Sequence, residues 1–127
     1  MTPEALAAAL EACDPLPDAV YVTSPDYLGH VLDVEGLARA CHARGVALLV
    51  DAAHGAYLHF LSPSRHPMDL GADLCCASAH KTLPAVTGAA YLHVRDARLA
   101  ERARDALSLF GSTSPSWLIL QIGRAHV

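Results

Sequence analysis

The sequence has 127 residues, of which 53% are hydrophobic and 17% are charged, and its formal net charge is −4 at pH 7. This balance predicts a single α/β domain or part of one, and it excludes nucleic acid and anionic membrane as expected partners because no basic stripe exists. The chain opens without a secretory signal, and no apolar run approaches the ~20 residues of a membrane span. We therefore expect a cytoplasmic protein.

The four cysteines predict free thiols. Cys13 and Cys41 stand alone, whereas Cys75 and Cys76 are neighbours, and no C-x-x-C spacing occurs. Neighbours in a strand point to opposite faces of a sheet. A disulfide framework or a zinc site is therefore not expected.

The first third of the chain reads as helix, strand and loop. Thr2 and Pro3 have the residue types of an N-cap and a first helical position, and the helix is predicted to continue to about Cys13. Residues 19–23 form a short, continuously apolar run, which is typical of a buried parallel strand. A loop at residues 24–29 follows its carboxyl end.

A second helix and strand repeat this order. Asp33 is predicted to cap a helix that ends before Gly45, and residues 46–50 form the second buried strand. Asp51 stands where this strand is expected to end. Strand, helix and strand in this order predict a parallel, right-handed crossover.

The central part of the chain contains two further strands. Residues 52–65 have poor periodicity, and residues 67–71 suggest a helical turn. Residues 73–78 predict a third apolar strand and residues 89–94 a fourth. Because a parallel crossover needs a dozen or more residues, the fourth strand is expected to run antiparallel to the third.

The end of the chain is predicted to hold a helix and a tail of foreign origin. Residues 96–109 form a charged amphipathic pattern, and residues 110–116 form a polar loop before a possible further helix. Residues 122–127 match the translation of a common sequencing adapter. We expect residues 1–121 to be part of one large domain and residues 122–127 to be a non-native tail, with an ordinary C-terminus as the alternative.

Two residues at predicted strand ends carry the functional hypothesis. Asp51 and the segment from Ser78 to Lys81 both fall beyond carboxyl ends of strands, where open α/β sheets bind ligands. A lysine there can form a Schiff base with an aldehyde. A carboxylate can hold a heteroaromatic nitrogen protonated. These two roles are the protein's usual contribution to pyridoxal-phosphate chemistry.

Each of these residues also has a structural interpretation. Asp51 could cap the following segment, and Lys81 could be a solvated loop residue. His54 could be hydrogen-bonded within the structure, Ser78 could be a turn residue, and His80 could pack on a loop. Taken singly, the structural interpretation of Asp51 or of Lys81 would prevail. Their occurrence together, with Ser and His just before the lysine, favours the functional one.

Four motifs carry a resemblance to a known family: VTSPDYLG (22–29), LLVDAAHGAY (48–57), GADLCCASAHKTLPAVTGAAYLHV (71–94) and FGSTSPSWLIL (110–120). With them the sequence resembles the large domain of fold-type I pyridoxal-phosphate (PLP) enzymes, and more narrowly the bacterial ornithine/lysine/arginine decarboxylase family. The resemblance extends to about Gln121, so it implies that residues 1–121 are part of a PLP-binding large domain. The implied fold is α/β, a partial three-layer PLP-transferase-like domain whose sheet is mostly parallel with an antiparallel last strand.

The resemblance implies roles around the cofactor ring. Lys81 would form the Schiff base, and Asp51 would pair with the pyridine nitrogen. Ala53 would pack beneath the ring, and His54 would face the ring hydroxyl or the substrate carboxylate.

The resemblance implies further contacts on the phosphate side. Ser78 and His80 would lie there within the same chain. The segment Ser112, Thr113 and Ser114 would reach the cofactor phosphate of a partner subunit, which implies a homo-oligomer. A helix N-cap is the alternative role for that segment, and both can hold.

The sequence also departs from the family pattern. Ala52 stands where the family often has Glu, Tyr57 where a second His is frequent, and Gly88 where Gln is frequent. No candidate for the ring-stacking residue or for the phosphate-binding turn precedes residue 18. We therefore expect the chain to be a fragment of a longer enzyme that, when isolated, binds PLP weakly and has no useful turnover.

Four functions compete. The leading prediction is α-decarboxylation of arginine, lysine or ornithine by the intact parent. The second is another fold-type I reaction, such as transamination or elimination, and the third is a non-catalytic PLP-like scaffold. Retention of both Asp51 and Lys81 disfavours the scaffold. A nucleotide-binding fold ranks lowest because neither glycine-rich phosphate motif occurs.

Overall fold

The computed structural model describes residues 1–111, 113–114 and 116–118, apart from the side chain of Arg98. It is an α/β structure, as the sequence predicts. The helices are α1 (Pro3–Glu11), α2 (Val34–His42), α3 (Ala79–Thr82) and α4 (Ala97–Phe110), with a 3-10 helix at Ala56–Phe60. The strands are β1 (Ala19–Thr23), β2 (Ala47–Asp51), β3 (Leu74–Ser78) and β4 (Ala90–Val94).

The four strands form one sheet in the order β1-β2-β3-β4. β1, β2 and β3 run parallel, and β4 pairs with β3 in the antiparallel sense, which confirms the predicted topology. The short link between β3 and β4 leaves no room for a helical crossover. The register places Thr23, Asp51 and Cys76 side by side at one end of the sheet.

Local capping explains where the first two helices begin. The Thr2 side chain accepts a hydrogen bond from the Ala5 N–H at 3.3 Å, and Asp33 accepts one from the Gly36 N–H at 2.9 Å. Both satisfy backbone donors that have no partner within the helix. Gly45 follows α2 at a φ of +70°, a conformation that glycine adopts without strain.

One face of the sheet is covered by α2, and α1 packs against α2. Leu48 and Val50 of β2 are almost fully buried on that face. Side chains alternate along a strand, so Asp51 projects from the opposite face. The buried core consists of Leu6, Leu10, Val22, Val34, Leu37, Ala38, Cys41, Val46, Leu48, Val50, Ala52, Ala72 and Cys75.

The structure differs from the sequence predictions in a few places. β2 includes Asp51 as its last residue, one position later than expected, because Thr23 of β1 pairs with it. The segment after β3 forms the short helix α3, which periodicity did not predict. The ambiguous residues 52–65 contain the 3-10 helix, and residues 67–71 make the predicted turn.

Three further sequence predictions concern the thiols, membrane spans and the C-terminal tail. All four cysteines are free thiols. None of the helices in the described part of the chain is long and apolar enough to cross a membrane. The predicted tail at residues 122–127 lies outside the described residues.

Candidate active site

The carboxyl ends of the three parallel strands are tied together by the backbone. Ser24 follows β1, and its N–H donates to the Asp51 carbonyl at 2.9 Å. Ala52 follows β2, and its N–H donates to the Cys76 carbonyl at 2.8 Å. These bonds extend β1 and β2 by one residue each, and they tie the end of β2, where Asp51 lies, to both neighbouring strands.

The Asp51 carboxylate accepts a hydrogen bond on each oxygen. Its Oδ1 accepts from the Ala53 N–H at 2.9 Å, and its Oδ2 accepts from the Tyr21 hydroxyl at 2.9 Å. A carboxylate oxygen has two lone pairs, so each oxygen keeps capacity for a further donor. The hydrogen bond to Asp51 raises the pKa of Tyr21 above its ordinary value, with burial adding a smaller effect.

A thiol lies beside this carboxylate. Cys76 pairs with Asp51 in the parallel register of β2 and β3. Burial first, and then the charge of Asp51, raise the pKa of the Cys76 thiol. Cys76 therefore stays protonated and adds no second negative charge to the site.

Lys81 lies on α3, directly after β3, with its side chain exposed. It is the only lysine in the 127-residue sequence. Its side chain makes no hydrogen bond or ion pair with any part of the chain that the structure describes. No group in those residues therefore occupies its amine. Ser78 ends β3 three positions before it, as the sequence predicts.

His80 is held by the backbone at the start of β4. Its Nδ1 lies 3.0 Å from the Ala89 carbonyl oxygen, to which the Ala79 N–H also donates at 3.0 Å. A carbonyl only accepts, so Nδ1 carries a hydrogen. In the neutral ring Nε2 is then an acceptor, and it can donate to an anion only when the imidazole is protonated.

His54 lies in the turn that follows β2. Its ring meets the ring of Tyr27 edge to face, with centroids 5.6 Å apart. The same turn is tightly packed at Gly55, where an added Cβ would lie 2.7 Å from Cδ of Pro25. The loops after β1 and β2 therefore fix each other beside the Asp51 carboxylate.

The last two predicted site residues lie apart from this group in the chain. Thr113 and Ser114 follow α4 and are exposed, while Ser112 is outside the described residues. Their expected role involves a partner subunit, so it stays a prediction.

The donor set suits the cofactor that the resemblance implies. A carboxylate with unused lone pairs ends β2, and a free primary amine follows the adjacent strand β3. This combination of Asp51 and Lys81 fits an aldehyde that carries a basic ring nitrogen, and therefore fits PLP. In the described part of the chain, no group of three or more His, Cys, Asp or Glu has the arrangement of a metal site.

A histidine-lined cavity of about 380 Å³ lies elsewhere in the structure, and neither Asp51 nor Lys81 lines it. His66 contacts His59 and His93 edge to face, with ring centroids 5.8 and 5.1 Å apart. Burial first, and then the neighbouring histidines, lower the pKa of His66 and of His93. Asp69 pairs with His59 at 2.9 Å at the edge of the cavity.

Sequence reasoning missed Tyr21 and the histidine cluster. Tyr21 sits in a continuously apolar run, which gives no sign of which face its side chain occupies. Its pairing with Leu49, two residues before Asp51, would have placed both side chains on one face. His59, His66 and His93 come from three separate segments, so no local spacing marks them.

Comparison with known proteins gives a consistent result. A family model described as Orn/Lys/Arg decarboxylase, major domain, matches residues 1–123. The protein YaaO of Bacillus subtilis is 41% identical over 127 residues, covering 92% of this chain and 26% of that protein. An arginine decarboxylase of Halalkalibacterium halodurans is 35% identical over 114 residues, covering 87% of this chain and 23% of that protein. The chain thus spans about a quarter of the length of these relatives.

Solved structures show the same architecture. The methionine gamma lyase CalE6 of Micromonospora echinospora matches with a TM-score of 0.73 at 28% identity, over 98% of this chain and 33% of that one. Mouse CSAD matches with a TM-score of 0.69 at 27% identity, over 93% of this chain and 25% of that one.

Proposed function

The chain belongs to the Orn/Lys/Arg decarboxylase family through that family's major domain, and from this premise we propose its function. It is part of a longer PLP-dependent enzyme that removes the α-carboxyl group of arginine, lysine or ornithine. The observation that carries the proposal is the placement of Asp51 and Lys81. Asp51 ends β2 with both oxygens oriented by donors, and Lys81 follows the adjacent parallel strand with a free amine.

Each of these side chains has a distinct task. Bound PLP supplies an electron sink that stabilises negative charge at the α-carbon of an amino acid. Lys81 would bind the cofactor through its amine. Asp51 would hold a proton on the pyridine nitrogen by charge pairing, and Ala53 would pack beneath the ring. His54, whose ring meets that of Tyr27 edge to face, would face the ring hydroxyl or the substrate carboxylate.

The phosphate contacts form a second part of the proposal. Ser78 and His80 lie at the end of β3 and the start of α3, close in sequence to the lysine. Because Nδ1 of His80 is bonded to a carbonyl, this residue would bind phosphate as an imidazolium. Thr113 and Ser114 would reach the phosphate of a partner subunit, so we propose a homo-oligomer. Four free thiols suit a reducing compartment, so we also propose a cytoplasmic location.

A basic amino acid is the proposed substrate because curated relatives include arginine decarboxylases at 30–35% identity. A second candidate is another reaction of the same cofactor. The solved structures similar to this chain include a methionine gamma lyase and a pyridoxamine-pyruvate aminotransferase, so the architecture serves several reactions.

The experiment uses the full-length protein that contains this chain. It is incubated with arginine, lysine or ornithine, and release of carbon dioxide and formation of the matching amine are measured. We expect decarboxylation of at least one substrate, and loss of it in Lys81→Ala and in the charge-matched control Lys81→Arg. Keto-acid formation without carbon dioxide would favour the second candidate. An unchanged cellular function in Lys81→Ala would favour a scaffold.

A further inference from the structure

Tyr21 brings its hydroxyl to the carboxylate that the proposed function assigns to the pyridine nitrogen. We propose that Tyr21 is a positioning residue that fixes the plane of the Asp51 carboxylate for pairing with this nitrogen. The inference rests on the proposed function, since the nitrogen belongs to PLP. The observation that carries it is the 2.9 Å hydrogen bond from the Tyr21 hydroxyl to Oδ2 of Asp51.

The sheet register makes this contact specific for a long side chain. Tyr21 pairs with Leu49, and Asp51 pairs with Thr23, so Tyr21 and Asp51 lie diagonally across β1 and β2 on one face. Diagonal neighbours on one face of a sheet lie within reach of aromatic side chains, and the hydrogen bond shows that the Tyr21 side chain spans this gap. A serine or threonine at position 21 would be too short.

Two donors from different elements prevent rotation of the carboxylate. The χ2 torsion of aspartate has a broad preference, so one donor alone leaves the group free to turn. The Ala53 N–H fixes Oδ1 from the turn after β2, and Tyr21 fixes Oδ2 from β1. The remaining lone pairs of the Asp51 carboxylate then keep fixed directions, in which they can accept a hydrogen bond from the N–H of the cofactor ring.

The electrostatics favour a phenol in this position. A neutral donor orients Asp51 without cancelling its negative charge, which an arginine or lysine would do. The pKa of Tyr21 is raised by the bond to Asp51, so the hydroxyl stays protonated. Cys76 also stays a neutral thiol, because burial raises its pKa. Of Tyr21, Cys76 and Asp51, only Asp51 therefore presents a charge to the pyridine nitrogen.

Tyr21→Phe is a clean perturbation. The Tyr21 side chain is 63% exposed, so the ring contributes little to the core and removal of its hydroxyl should leave the fold intact. Tyr91→Phe is the matched control. Tyr91 lies on β4 and lines the histidine cavity, and it has no role in the proposed site.

The test compares these variants of the full-length protein. PLP binding to the apoprotein is titrated, kcat and KM are measured, and tyrosine ionisation is followed by ultraviolet difference spectra. In Tyr21→Phe we expect the Kd for PLP to rise and kcat to fall about tenfold each, since hydrogen bonds to charged groups are worth at least this much. KM should change little, and Tyr91→Phe should match the wild type.

The spectra give a readout that is independent of activity. The difference between the wild-type and Tyr21→Phe spectra should show one tyrosine whose pKa lies above the ordinary value for tyrosine. Asp51→Asn should lower the pKa of this tyrosine. Wild-type Kd and kcat in Tyr21→Phe would overturn the positioning role. If Lys81→Ala kept full decarboxylation, the proposed function would fail, whereas the ionisation spectra would still report the contact between Tyr21 and Asp51.

Discussion

Replacement of Gly55 by alanine tests the packing that supports the candidate site. Gly55 lies in the turn after β2, and this turn supplies the Ala53 N–H that holds Asp51. An added Cβ would lie 2.7 Å from Cδ of Pro25 and 3.2 Å from both the Ala52 Cβ and the Leu58 Cδ1. The closest neighbour belongs to a rigid ring that is itself fully buried, so it cannot move aside without a backbone shift.

The size of the effect follows from this geometry. Overpacking in a dense region costs about 1–3 kcal/mol, and we expect this loss in the free energy of unfolding. A shift of the turn would also displace the Ala53 N–H from Asp51. PLP affinity of the full-length protein should therefore fall together with stability.

Gly45→Ala provides the matched control. Gly45 lies before the start of β2, at the end of the sheet remote from Asp51, and its added Cβ would meet nothing within 4 Å. Its φ of +70° makes alanine strained there by about 1–2 kcal/mol. Urea denaturation and PLP titration should show similar destabilisation in both variants but weakened PLP binding only in Gly55→Ala. Wild-type stability and affinity in Gly55→Ala would refute the packing argument.

Two further predictions concern titratable groups. Burial lowers the pKa of His66, so the unfolded state takes up a proton first, and the free energy of unfolding should fall as pH drops below about 6.5. The urea concentration at the unfolding midpoint should decrease as the pH is lowered through this range, and it should decrease less in His66→Phe. A midpoint that rises on acidification would contradict the lowered pKa of His66. Burial raises the pKa of Cys75 to about 12, so a thiol reagent should modify exposed Cys13 in the native protein and Cys75 only after unfolding. Rapid native modification of Cys75 would show that β3 is not buried as described.

The strands were predictable because their signals are local. β1, β2 and β3 are short apolar runs bounded by turn residues, and each matches its prediction within one residue. The antiparallel β4 followed from the length of its link to β3. α3 was missed because its four residues have no periodicity, and Ala79 and His80 are held there by the Ala89 carbonyl.

The candidate site was predictable only in part, for a related reason. Asp51 and Lys81 could be placed from their positions at strand ends, because carboxyl ends of parallel strands meet at one edge. Tyr21 could not, because its contact depends on a diagonal register that an apolar run does not reveal. The histidine cavity depends on contacts among separate segments, which only the folded chain brings together.

The most direct test of the central claim is to find where PLP attaches. The full-length protein is loaded with PLP, reduced with borohydride so that the attachment becomes permanent, and digested with trypsin. We expect PLP on Lys81, within an uncleaved peptide of residues 66–95, since a modified lysine resists trypsin and the flanking cleavage sites are Arg65 and Arg95. Attachment at another lysine of the full-length protein, with residues 66–81 released unmodified, would contradict it.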